Sequence, residues 1–240
     1  MICAGPYALL MDPAVLLACL RRELDSFAAC LTGDLSAPVA HCGAWTLYDL
    51  ADHLGRSNEW VVAAVTERRG DHQAPAAPRD PGDLAAWFGR TSAGLLEVLG
   101  QDPSLEAWTI YPPRTIGFWR RRRCLETLVH RWDAQNALGT GGVMDPVLAG
   151  EGVAEVIDTI VPRQVELGRA ENPGRAVRLL AADTGRSWVL GPGTPVATAS
   201  ATAQSLLLML WHRLPAEDPE IGWDGDVAAG QRVLAGSLVP

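Results

Sequence analysis

No lysine occurs in this chain of 240 residues, so all 20 basic side chains are arginine. Any cation that binds an anion here must therefore use the planar, forked guanidinium. Positive charge is short overall as well: the formal net charge is -8 and the isoelectric point is about 5.1, which argues against a broad phosphate-backbone interface. The five cysteines include no CxxC pair, which excludes a zinc ribbon and gives no disulfide framework. The nucleophile elbow GxSxG, a dinucleotide-binding glycine pattern, HExxH and a glycine-rich phosphate loop are all missing. The apolar run LLLML is too short to span a bilayer, and the N-terminus lacks the basic opening of a signal peptide. A cytoplasmic protein without nucleic-acid or membrane partners is the expectation.

What is present reads first as helices. Asp12-Pro13 supplies an N-cap and a first-turn proline, and the apolar series Val15, Leu16, Cys19, Leu20, Leu24, Phe27 and Cys30 follows. Cys19 and Cys30 are expected to be buried small residues, and the first ten residues a peripheral extension. Thr46 with Asp49 predicts a capping box for a second helix, whose seam carries Leu50, His53, Leu54 and Ser57. A third helix is expected from Asp83 through Leu99. A polar crossover then leads to a fourth helix containing CLETLVHRWDAQNALG. Four apolar stripes in about 140 residues predict a helical bundle. A fifth helix, from about Glu151 to Arg169, is expected to kink or divide at Pro162. Beyond it, RAVRLLAADTGRSWVLG alternates on both sides of Asp183-Thr184-Gly185, which predicts a β-hairpin. The expected organisation is a bundle plus linking helix over 1–170 and a small α+β domain over 171–240.

On the fourth helix Glu126 and His130 are four apart and can converge on one point. His53, on the seam of helix two, could complete two imidazoles and a carboxylate, a set that holds a zinc-like ion and leaves positions open. Residue spacing leaves two alternatives standing: Glu126 and His130 as a helix-stabilising pair, and His53 as a hydrogen-bonded core histidine. Asp133 could orient an imidazole or pair with an arginine, and Asp49 has the same ambiguity relative to His53. His41 and His72 lie in loop-like sequence, and Trp45 and Trp132 read as packing residues. The run Arg120 to Arg123 reads as a solvated face, and Arg114 in the crossover is a candidate contact for a substrate carboxylate.

The segments WTLYDLADHLGRSNEW and LETLVHRWDAQNALG resemble the two metal-binding segments of the mycothiol-dependent maleylpyruvate isomerase family, part of the DinB-like four-helix bundles. RAVRLLAADTGRSWVLG and the helix ending LLLMLWHRL are similar to that family's small C-terminal domain, a sterol-carrier-like fold. The resemblance implies an α+β protein in which His53, Glu126 and His130 ligate a divalent metal, usually taken as zinc. It further implies a low-molecular-weight thiol, mycothiol, acting on a small acidic or electrophilic substrate through cis–trans isomerisation of a maleylpyruvate-like acid. The family's C-terminal arginine matches Arg213 most closely, although His212 stands where a small residue is common. A thiol S-transferase of specialised metabolism, a metal-dependent hydrolase and a non-enzymatic ligand-binding protein are the alternatives. The oligomeric expectation is a monomer or homodimer.

Overall fold

In the computed structural model, residues 11–236 and 238–239 are described, so the expectations for the first ten residues and Cys3 lie outside them. Helix α1 spans Pro13–Cys30, and the Asp12 carboxylate accepts from the Ala14 amide at 2.7 Å to cap it. Its stripe buries Leu16, Cys19, Leu20, Leu24, Phe27 and Cys30, whereas Val15 is 47% exposed and lies off the seam. Helix α2, Leu47–Thr66, opens on the full Thr46–Asp49 capping box. Helix α3, Pro81–Leu99, starts two residues before the expected Asp83, because Asp80 caps it and Pro81 takes the first turn. Helix α4, Ile116–Ala137, is capped by Thr115.

These four helices form one unit, with α1 packed most extensively on α4 and α2 on α3. The rings of Phe27 and Phe88 meet at 5.0 Å in its centre, each side chain fully buried and contributing roughly 1.5–3 kcal/mol through burial. Helices α2 and α3 approach closely because Gly55 has no side chain. A Cβ there would lie 2.3 Å from the Trp87 ring.

The arginine run departs from the expected solvated face. Arg120, Arg122 and Arg123 are buried, at 5%, 5% and 1% exposure. Arg120 donates to the carbonyls of Leu99 and Gln101, tying α4 to the end of α3. Burying a guanidinium requires such partners, and a hydropathy pattern does not register them.

A second unit follows, and the division falls between Gly142 and Val143 rather than at 170/171. Helix α5, Pro146–Glu155, packs on α7, Ala203–Leu210, so it belongs with the C-terminal elements. Between α5 and α6, Val161–Glu166, the chain forms a π-helical turn, Val156–Ile160, in which the Val161 amide bonds the Val156 carbonyl. Pro162, which has no N–H to continue the α ladder, lies just beyond it. The sheet has the order β2-β1-β3-β4, built from β1 (Ala176–Ala181), β2 (Ser187–Leu190), β3 (Pro195–Ala201) and β4 (Gly222–Gly225). β1 and β2 form the expected antiparallel hairpin, β1 and β3 run parallel, and β4 returns antiparallel to β3. Helix α8, Val227–Leu234, lies against β3, whose buried face is Ala197, Ala199 and Ala201. The contact is close: a Cβ on Gly230 would be 2.9 Å from that of Ala197. The chain is thus a helical bundle followed by a mixed α+β unit. Among the described residues no helix is long and apolar enough to cross a membrane.

Candidate metal centre

The site begins with the start of α2. The Thr46 cap fixes where α2 begins and so places His53 between the fully buried Leu50 and Leu54. On α4, Glu126 and His130 stand one turn apart and face α2. The ligand atoms of His53, Glu126 and His130 all lie within 4.8 Å of one another. His53 Nε2 is 3.3 Å from Glu126 Oε1, and the two imidazole rings meet edge-on with centroids 5.2 Å apart. The His53 side chain is 34% exposed and the Glu126 side chain 16%, so the cluster reaches solvent from the α2 side.

Glu126 and His130 are prepared electrostatically. Burial alone would raise the Glu126 carboxyl. The charges of Arg123 and Arg122, with the hydrogen bond and charge of His53, outweigh it and hold the group well below its ordinary value. Arg123 Nη1 donates to Oε2 at 2.7 Å and Arg122 Nη2 lies 3.4 Å from the same oxygen, which leaves Oε1 facing the histidines. The other arm of Arg123 donates to Asn58 Oδ1 at 2.8 Å and to the Leu54 carbonyl at 3.4 Å, locking α4 against the turn that follows His53. His130 is pushed below its ordinary value by burial, and Asp133 only partly offsets this, so the imidazole is neutral at pH 7. Its Nδ1 donates to Asp133 Oδ2 at 3.0 Å. A carboxylate can only accept, so Nδ1 carries the proton and Nε2 keeps its lone pair for an ion.

The donor set therefore suits a divalent ion. It comprises two imidazoles and a carboxylate, with His130 neutral, Glu126 ionised, and a donor number that leaves coordination positions open. A second group, Cys42, His130 and Asp133, also meets the distance condition. Cys42 escaped the sequence reading because 91 residues separate it from Asp133 and no spacing rule links a loop cysteine to a helix. Arg122 and Arg123 stand four and three residues before Glu126, a helix-pair spacing that the sequence carries, but the burial of Arg123 against Asn58 and the Leu54 carbonyl is tertiary and escaped it.

Other expected residues fall elsewhere. The Asp49 carboxylate accepts from the Thr46 amide and hydroxyl, both at 2.8 Å, so it completes the helix cap and does not orient His53. Arg114 braces the crossover by donating to the Thr109 carbonyl at 3.1 Å. The ten residues from the start of α4 to Glu126 rise about 15 Å, so Arg114 is not brought to the cluster. Arg213 lies in the second unit, where Nη1 donates to the Trp211 carbonyl at 2.8 Å. Trp45 does more than pack at a distance: its ring sits 5.0 Å from that of His53, beside the solvent-facing edge of the cluster.

Comparison with known proteins gives the family. The family model described as mycothiol maleylpyruvate isomerase N-terminal domain matches residues 17–135, and that of the corresponding C-terminal domain matches residues 148–232. The chain belongs to the mycothiol-dependent maleylpyruvate isomerase family. Each match lies within one of the two units, the first holding His53, Glu126 and His130. Two relatives, uncharacterized proteins from two strains of Mycobacterium tuberculosis, are each 31% identical over 172 residues, 64% of this chain and 82% of theirs. Two solved structures share the fold. A crystal structure of the mycothiol-dependent maleylpyruvate isomerase has a TM-score of 0.64 at 14% identity, covering 89% of this chain and 93% of that one. A histidine-to-alanine mutant of that isomerase gives 0.67 at 13%, with the same coverage.

Proposed function

We propose that this family member is a divalent-metal-dependent enzyme using a low-molecular-weight thiol, mycothiol, in cis–trans isomerisation of a maleylpyruvate-like unsaturated acid. The observation that carries the reading is the convergence of His53, Glu126 and His130 at a partly exposed point of the bundle. These three residues would hold the ion, zinc by donor type. When bound, the ion would supply a Lewis acid that lowers a thiol's pKa, and the thiol a nucleophile whose reversible addition frees a double bond to rotate.

The chain's own residues have separable tasks in this scheme. Arg123 and Arg122 keep Glu126 ionised, and Asp133 keeps the lone pair of His130 turned toward the ion. The positive charge around Glu126 favours anionic ligands, which suits a thiolate and an acidic substrate. Trp45 flanks the open side next to His53. Arg213 is proposed to pair with a substrate carboxylate, while Arg114, as a brace of the crossover, is not given that task. The second unit is proposed to be of sterol-carrier type. The proposal also includes a cytoplasmic location, a monomer or homodimer, and no nucleic-acid or membrane partner.

The test uses the zinc-loaded full chain with mycothiol and maleylpyruvate, with products separated by chromatography against the cis and trans acids and their masses measured. A trans acid with free thiol returned supports the isomerase. A product that retains the thiol mass assigns an S-transferase instead, and turnover without thiol rejects both in favour of water-mediated chemistry.

A further inference from the structure

We propose that Cys42, Asp133 and the Nδ1 face of His130 form a second divalent-ion site that shares His130 with the first. The three ligand atoms lie within 4.8 Å of one another. Asp133 Oδ2 is 3.0 Å from His130 Nδ1 and 3.8 Å from Cys42 Sγ. A thiolate, an imidazole and a carboxylate are a zinc-type set, softer than the two imidazoles and carboxylate of the first group.

The thiol is held in place by a closed loop. Residues 38–46 are pinned by the Pro38–Thr46 bridge and by the Val39 amide bonding the Trp45 carbonyl at 2.8 Å. The Cys42 amide bonds the Val39 carbonyl at 3.0 Å, and Gly43 takes the left-handed turn at φ 65° that brings the chain back. The same loop ends on the Thr46 cap of α2, so Cys42 is tied to the helix that carries His53. Asp133 is buried at 2% exposure on α4, while Cys42 is half-buried at the rim, which gives an ion a way in.

Charge distinguishes the two groups. In the first, the lone carboxylate is already matched by Arg123 at 2.7 Å and Arg122 at 3.4 Å. The second offers two anionic donors once the thiol ionises. Binding there releases the thiol proton of Cys42 and the Nδ1 proton of His130 to solvent, and no electron is transferred. The ion replaces the hydrogen bond by which Asp133 orients His130, which then presents one nitrogen to each centre. Borderline and soft divalent ions, Zn2+, Co2+ and Cd2+, are the class the site takes.

The inference depends on the proposed first site only through the shared His130, and a cobalt titration separates the two. Metal-free full chain is titrated with Co2+, the thiolate-to-cobalt charge-transfer band is followed in the near ultraviolet, and bound cobalt is counted after gel filtration. The wild type is expected to take two ions per chain and to show the band. Cys42→Ser is expected to keep one ion and lose the band, and His53→Ala to keep the band with one ion. Circular dichroism verifies folding, and Glu126→Gln replaces His53→Ala if the latter fails to fold. A wild type without the band overturns the second site, as does a band that survives Cys42→Ser. Loss of the band in folded His53→Ala or Glu126→Gln also overturns it, because the thiolate would then belong to a single centre. Two ions retained in His53→Ala and Glu126→Gln would instead reject the first site while leaving the second.

Discussion

Replacing Arg123 with methionine isolates the charge that prepares the centre. The guanidinium is 1% exposed and donates to Glu126 at 2.7 Å, to Asn58 at 2.8 Å and to the Leu54 carbonyl. Removing one partner of a buried ion pair typically costs about 3–5 kcal/mol, because the remaining charge is left in a poorly solvated place. Here Arg122 stays at 3.4 Å and the Glu126 side chain keeps 16% exposure, so the lower end, about 3 kcal/mol, is expected for metal-free protein. Glu126→Gln in the same background removes the stranded charge and should restore most of the loss. The double-mutant cycle should then give a coupling of about 2–3 kcal/mol, within the range for residues in contact. Urea unfolding at neutral pH with a chelator measures all four proteins. Zinc should rescue Arg123→Met by more than it stabilises the wild type, since the ion supplies a replacement counter-charge to Glu126. A loss below about 1 kcal/mol, or an additive cycle, would refute the idea that Arg123 holds the Glu126 carboxylate ionised.

Further predictions concern the ligands, pH and backbone. In a Cys42→Ser background, Asp133→Asn should weaken zinc binding about 10–100-fold in competition with a chromophoric chelator, and unchanged affinity would reject its orienting role. Metal-free protein should lose stability on acidification in two stages. The folded value of His130 lies below its ordinary 6.5, so the unfolded chain takes that proton first and stability declines as pH falls below about 6.5. Glu126 contributes stability that is present above its ordinary 4.5 and lost as pH falls through its lower folded value. Urea midpoints across this range check both stages, and a His130→Gln variant that keeps the upper one would contradict the assignment. Gly191→Ala should destabilise the second unit by about 1–3 kcal/mol in calorimetry. Its φ is 92° and a Cβ would lie 2.1 Å from the Arg175 carbonyl oxygen; an unchanged transition would count against that close approach.

Local features were the ones legible in the sequence. Asp12-Pro13, the Thr46–Asp49 box and the turn at Asp183-Thr184-Gly185 act within a few residues, and each forms as its pattern predicts. The Glu126–His130 step is also local, and the helix brings both side chains to one face. What sequence could not supply is partnership across the fold. Arg123 reads as solvated because its burial depends on Asn58 and the Leu54 carbonyl of α2, although its pairing with Glu126 three residues on is local. Asp49 carries one signal for two roles, and only the Thr46 contacts show which it performs. The apolar stripe of α5 looks the same whichever unit it joins. Its packing on α7 moves the boundary to Gly142–Val143.

The most direct test of the account is X-ray absorption at the zinc edge of Cys42→Ser protein, before and after addition of mycothiol. With the chain's own nearby thiol removed, the zinc should have nitrogen and oxygen neighbours alone at first, and one sulfur neighbour once mycothiol is present. An unchanged spectrum at saturating mycothiol, or zinc retained after His53, Glu126 and His130 are all replaced by alanine, would contradict it.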